Sequence, residues 1–131
     1  MLALDTNILI AVQKREPKAD SYYVAALAAD EVLAVPSVVR YEVRRSLLAP
    51  LYTRRLTALD SLLAFLPSLE FDQQTADIAA SIYHQLRSTG QLIDEADLMI
   101  AATAVRHNAT LVTRNTSHFQ RVQGLSLLDW R

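Results

Sequence analysis

Cysteine is absent from the 131-residue chain. That excludes disulfides, thiolate zinc sites, iron–sulfur clusters and cysteine nucleophiles together. Glycine is nearly absent too, with only Gly90 and Gly124 present. A P-loop or a dinucleotide-binding fingerprint needs closely spaced glycines, because backbone must approach phosphate with no side chain between them. Neither motif is present. No apolar run approaches the roughly 20 residues of a membrane span. Asp5 interrupts the first apolar run too early for a secretory leader, so a soluble, cytoplasmic protein is expected. Bulk charge of one sign is also missing, the formal net charge being −1. Repeats and low-complexity tracts do not occur.

What remains is 51% apolar and 21% charged, enough apolar content to bury a core within one domain spanning residues 1–131. Short apolar runs alternate with helical periodicities. Met1–Leu4, Val32–Val35, Leu69–Phe71, Thr110–Thr113 and Leu125–Leu128 read as strands. Helices are expected from Thr6-Asn7 through Val12, over Lys18–Asp30, from Val38 to about Leu48, over Leu51–Phe65, from Gln73 to Ser88 after an Asp72 cap, and over Asp94–His107. Gly90 is expected to stop the fifth of these. The alternation predicts an α/β fold, a three-layer sandwich around a mostly parallel sheet. Sites in such folds lie beyond the carboxyl ends of the strands, where Asp5 and Thr113-Arg114-Asn115 fall.

Three acids stand out. Asp5 directly follows the first strand, where the plain reading is a helix N-cap. Glu42 shares a helix face with Val38 and Val39, while Arg40, Arg44 and Arg45 occupy other positions around that helix. A carboxylate beside a buried stripe is costly unless paired or coordinated, so a ligand role is preferred over a salt bridge to arginine. Asp94, Glu95 and Asp97 crowd a helix start, where the macrodipole alone favours acids. Asp97 nevertheless shares its face with Ile93, Ala101 and Ala104 and is expected to point inward, with Glu95 in solvent and Asp94 open to either side.

Acids converging from three elements repel one another and need a cation. An all-oxygen set suits magnesium or manganese better than zinc. His84, His107 and His118 show no paired metal spacing and read as surface residues. Two cationic segments accompany the acids. One holds Arg40, Arg44, Arg45, Arg54 and Arg55; the other, free of acids, holds Arg106, His107, Arg114, His118 and Arg121. From charge alone a solvated helix face and a phosphate-binding surface are equally good readings. Beside a carboxylate-held Mg²⁺ or Mn²⁺, the second reading points to phosphodiester cleavage by metal-activated water. Asp5 and Asp97 are the expected ligands, direct or through water, Glu42 completes the pocket, and Arg44, Arg45 and Arg114 are the expected phosphate contacts.

Together these residues resemble the PIN-domain nucleases, and most closely the VapC toxins of toxin–antitoxin pairs. The resemblance runs in order along the chain: Leu4-Asp5-Thr6-Asn7, then Pro36–Glu42, then Gly90–Ala102, then Thr110–Phe119 with Gly124-Leu125 and Asp129-Trp130. It implies a PIN-like α/β/α fold and a Mg²⁺- or Mn²⁺-dependent endoribonuclease acting on transfer RNA or other structured RNA. It also implies a homodimer silenced by a VapB-type antitoxin. Tyr22, Tyr23, Leu47, Leu48, Leu51 and Tyr52 offer large apolar groups for the two-fold interface. Two positions depart from the family's pattern. Asp94 stands where many relatives carry glycine. Asn115 stands where many carry a fourth acid; it keeps a place in the expected catalytic set through hydrogen bonding but brings no charge, which counts against strong binding of a second metal. The competing reading is a non-catalytic α/β module, nucleic-acid-binding or regulatory, with a decayed site. A receiver-type domain is set aside, because Asp5 is followed by Thr6 and Thr113 by Arg114 instead of a second acid and a lysine.

Overall fold

The computed structural model describes all 131 residues. Its apolar runs form five strands: β1 (Leu2–Leu4), β2 (Leu33–Pro36), β3 (Ser68–Leu69), β4 (Thr110–Val112) and β5 (Leu127–Leu128). Each pairs in parallel with its neighbours in the order β3-β2-β1-β4-β5. Ala3, Leu4, Leu33, Ala34, Val35, Leu111 and Val112 are buried, as expected of central parallel strands covered on both faces. Parallel strands need long crossovers, which seven helices supply. These are α1 (Thr6–Gln13), α2 (Pro17–Ala28), α3 (Ser37–Arg45), α4 (Thr53–Leu63), α5 (Gln73–Ser88), α6 (Glu95–Arg106) and α7 (Thr116–Phe119). Helix α1 packs on α2, α3 and α4, whereas α6 packs mainly on α5 and meets α3 only at the edge of the two groups. Right-handed crossovers put these two groups on opposite faces of the sheet, giving the α/β/α sandwich expected.

Several boundaries differ from the expected ones for local reasons. The cap of α1 is Asp5 itself, whose carboxylate accepts from the Thr6 amide at 2.7 Å. Helix α3 stops at Arg45, and the stretch from Leu51 opens as a 3₁₀ turn at Pro50–Tyr52 before α4 begins at Thr53. Pro50 has no amide hydrogen and sits at the start of that turn, and the Thr53 hydroxyl closes it onto the Pro50 carbonyl at 2.8 Å. Strand β3 lies at Ser68–Leu69, one residue ahead of the expected run, and ends opposite Pro36, which has no donor to extend the ladder. The short α7 has no hydrophobic period to announce it; its Phe119 is fully buried and anchors it. Helix α5 begins and ends as expected, with Gly90 after it at φ +66°, a backbone that favours glycine.

The strand order reverses between β1 and β4. The chain progresses outward through β2 and β3 on one side of β1, then returns through β4 and β5 on the other. A crevice opens beyond the carboxyl ends at such a reversal. Asp5 leaves β1 there and Thr113 leaves β4, tied by the bond from the Asp5 amide to the Val112 carbonyl at 2.9 Å.

Candidate active site

Asp5 is only 4% exposed. One carboxylate oxygen takes the Thr6 amide, and the other accepts from the Thr113 hydroxyl at 2.7 Å. Burial raises its pKa; the Thr113 and Thr6 hydrogen bonds oppose that, and the Glu42 charge adds to it. The N-cap role and the site role therefore coincide in one residue. Thr113 in turn accepts from the Asn115 amide at 3.0 Å, so the turn after β4 is built onto the Asp5 carboxylate.

Glu42 projects from α3, where Val39 and Val43 on the same side are buried. It is half-buried and makes no ion pair. Its partner is the Thr6 hydroxyl, which donates at 2.8 Å. Thr6 thus links the first two acids, by its amide to Asp5 and by its hydroxyl to Glu42.

Asp97 lies in the first turn of α6, half-buried, while Glu95 and Asp94 are exposed. Its pKa is raised to about 6, first by burial and then by the charges of Asp5, Asp94 and Glu42. Asp5, Glu42 and Asp94 thus act on Asp97 through their charge, and the Asp94 side chain caps nothing. Helix α3 touches α6, so the second and third acids come from two helices in contact with one another.

The other expected residues are distributed unevenly. Asn115 reaches the site, its side-chain nitrogen 2.9 Å from His118 Nδ1. Arg114 sits beside it but is paired with Glu16 at 2.8 Å, and its amide reaches the Asn7 side chain at 3.4 Å. Arg44 is paired with Asp60. Arg45 lies over the Tyr41 ring, 5.0 Å from its centroid, with no acid attached. His84 is exposed and His107 bonds the Glu70 carbonyl, consistent with surface positions. His118 also keeps a half-exposed side chain, and its Nδ1 lies 3.9 Å from the Asp97 carboxylate. Sequence reasoning also missed Thr6 and Thr113 as carboxylate holders. Their adjacency to Asp5 and to the β4 end was the available signal, whereas His118 depends on a short helix with no sequence signature.

As the side chains stand, no three carboxylate or imidazole groups surround a common point. The donor chemistry nonetheless suits a hard divalent cation. Glu42 adds to the raised pKa of Asp5, and Asp5 and Glu42 add to that of Asp97, and Mg²⁺-type ions bind through one or two carboxylates while keeping several waters.

Comparison with known proteins agrees with the fold. Residues 2–125 match the PIN domain family. The chain is 32% identical to Ribonuclease VapC2 of Rickettsia felis over 97% of its length and 96% of that protein's. It is 33% identical to VapC ribonuclease Y4jK of Sinorhizobium fredii, covering 98% and 96% respectively. Among solved structures it superposes on a chain of VapBC2 from Rickettsia felis bound to a promoter DNA fragment, with TM-score 0.90, 27% identity, and 99% and 98% coverage. It superposes equally fully on a chain of VapBC-1 from nontypeable Haemophilus influenzae, with TM-score 0.86, 28% identity, and 98% and 97% coverage.

Proposed function

The chain belongs to the PIN domain family, and from that premise we propose that it is the toxin of a VapBC-type pair, a Mg²⁺- or Mn²⁺-dependent endoribonuclease acting on structured RNA such as transfer RNA. The observation that carries this reading is the convergence of Asp5, Glu42 and Asp97, from β1, α3 and α6, at the strand-order reversal. Relatives that are named ribonucleases, at 32% and 33% identity over nearly the whole chain, support the activity. The VapBC assemblies that the fold matches support a VapB-type antitoxin as partner.

Asp5 and Asp97 would hold the cation, directly or through water, and Glu42 would complete the pocket. When bound, Mg²⁺ or Mn²⁺ supplies Lewis acidity toward a phosphodiester and lowers the pKa of a coordinated water. The protein's own part is positioning. Thr113 and Thr6 hold the Asp5 carboxylate in one orientation, and Thr6 holds Glu42. These hydroxyls occupy oxygens that would otherwise turn toward solvent. A bound cation would relieve the repulsion that Asp5, Asp94 and Glu42 exert on Asp97. Glu42, half-buried with no ion-pair partner and held by Thr6 beside Asp5, favours the catalytic reading over the non-catalytic alternative.

Of the three arginines expected to contact phosphate, Arg45 is the one without a carboxylate partner. Arg45→Ala is expected to weaken RNA binding across sequences and to lower the slope of log K against log salt by about one. An unchanged slope removes Arg45 from the RNA surface.

The central test is Asp97→Asn, which keeps shape and deletes one charge. RNA cleavage by the purified variant should fall by about a hundredfold or more, with the circular dichroism of the folded protein retained. Metal-dependent cleavage that persists in a nuclease-free preparation rejects the assignment.

A further inference from the structure

An α-helix advances about 100° per residue. On α3 the buried Val39 and Val43 mark the core side. Passing round the helix from that side, Glu42 comes first, Arg45 about 60° beyond it, and Tyr41 about 40° further still. Arg40 and Arg44 fall on the opposite flank, where Arg44 meets Asp60. Tyr41 therefore stands on the outer rim of the acidic site, and it is 60% exposed. A tyrosine so placed buries little apolar area, and leucine or lysine would suit the helix better. Its polar partner is Arg45, whose Nη1 donates to the phenolic oxygen at 3.2 Å while the guanidinium carbon lies 5.0 Å from the ring centroid. Glu42 is three residues from Arg45, a spacing at which opposite charges ordinarily pair along a helix. The two do not pair. Glu42 takes the Thr6 hydroxyl, and Arg45 stays over the ring. The Tyr41 hydroxyl contributes most to the raised pKa of Arg45, and the Glu42 charge adds to it, so the guanidinium lies within electrostatic reach of the second acid without neutralising it.

We infer that Tyr41 is a stacking platform for an unpaired RNA base beside the scissile phosphodiester, with Arg45 holding the phosphate next to that base. The inference rests on the ribonuclease reading above and narrows its substrate class. A base meets the ring only when it is unstacked from its neighbours, which favours loops and single strands over continuous duplex. Every base has a π-face, so such a platform selects strandedness and not sequence. An exposed ring beside a guanidinium with no carboxylate partner matches a nucleotide, which brings a base and a phosphate together. The planar guanidinium keeps its place over the ring while its remaining N–H groups reach phosphate oxygens.

The full chain is tested by fluorescence anisotropy in EDTA, which prevents cleavage. Three labelled RNA probes of equal length are used: a single strand of randomised sequence, a duplex, and a single strand of abasic riboses. The abasic strand keeps the phosphates and removes the bases. Tyr41→Leu should bind the randomised single strand about tenfold more weakly than wild type, the loss of one base stack. It should bind the duplex and the abasic strand as wild type does, with the salt slope unchanged because Arg45 remains. Tyr41→Phe keeps the ring and should bind all three probes as wild type does. Because Tyr41 is exposed, the thermal melt and the association state by light scattering should stay the same in both variants. Undiminished single-strand binding by Tyr41→Leu overturns the platform and leaves the ribonuclease reading standing. An equal loss on all three probes makes the ring a holder of Arg45 alone and also overturns it. Weakened single-strand binding by Tyr41→Phe moves the effect to the hydroxyl, with the same consequence. A loss that accompanies dissociation to a monomer assigns the ring to an interface between copies of the chain. Wild type that binds no RNA, and cleaves none once Mg²⁺ or Mn²⁺ is restored, overturns both the inference and the reading on which it rests.

Discussion

Asp97 sits half-buried among like charges. Its folded pKa of about 6 lies above the ordinary value of 3.8. A carboxyl whose pKa is raised on folding binds its proton more tightly in the native state, so stability falls as pH rises from about 4 to about 6 and stays reduced above that. Metal-free protein should therefore melt at a lower temperature at pH 7 than at pH 5. Asp97→Asn should reduce that difference and gain about 1 kcal/mol at pH 7, since partial exposure screens most of the shift. That corresponds to roughly 4 °C in Tm for a domain of this size. Calorimetry at the two pH values checks it, and a variant that melts lower at pH 7 would mean that Asp97 supports the fold. The same substitution abolishing cleavage while raising Tm is the signature of a residue kept for chemistry at a cost to stability.

Among the elements, α5 shows the opposite use of a carboxylate. Asp72 accepts from the Thr75 amide at 2.9 Å and the Thr75 hydroxyl at 2.8 Å, and Arg106 of α6 approaches at 3.2 Å. These hold its pKa down to about 2, the Thr75 bonds contributing most. The cap is thus charged across the working pH range and also ties α5 to α6, the helix that carries Asp97. A depressed carboxyl stabilises above its unfolded pKa and loses that contribution as pH falls from about 4 to about 2. Asp72→Ala should lower Tm at pH 7, and the gap from wild type should close near pH 2. An equal gap at both pH values would show that the side chain acts through packing and not through charge. Cap and stop were both legible in the sequence here, because Asp72 and Gly90 act on their own helix. The end of α3 was not, because Arg45 to Leu48 carry no breaker and the turn is set by Pro50 further on.

At the level of the whole molecule, the apolar groups expected at a two-fold interface separate into distinct roles. Leu47 is 2% exposed and belongs to the core, and Tyr22 stacks on the buried Trp130 with ring centroids 5.8 Å apart. Leu48 and Leu51 remain in solvent, at 62% and 84% exposure. If these two residues lie in the proposed homodimer interface, Leu51→Glu should yield a monomer by light scattering at micromolar concentration, where wild type is a dimer. A wild-type monomer, or a dimer unaffected by the substitution, places the interface elsewhere.

Local features of the chain determined the strands, most helices, the parallel sheet and the three acids. Hydrophobic period, caps and breakers act over a few residues, and a carboxylate beside a buried stripe is visible wherever it occurs. The resemblance across four ordered motifs added the family. Tertiary structure alone decided which side chains hold those acids and which cations stay free. Thr6 meets Glu42 across 36 positions and Thr113 meets Asp5 across 108, distances along the chain that only the strand-order reversal brings together. Arg44 and Arg114, read as free cations, meet Asp60 and Glu16 because packing places those helices and loops side by side. His118 joins the site for the same reason: buried Phe119 pins a four-residue helix whose position no period encodes, and the pinning leaves the preceding imidazole beside Asp97.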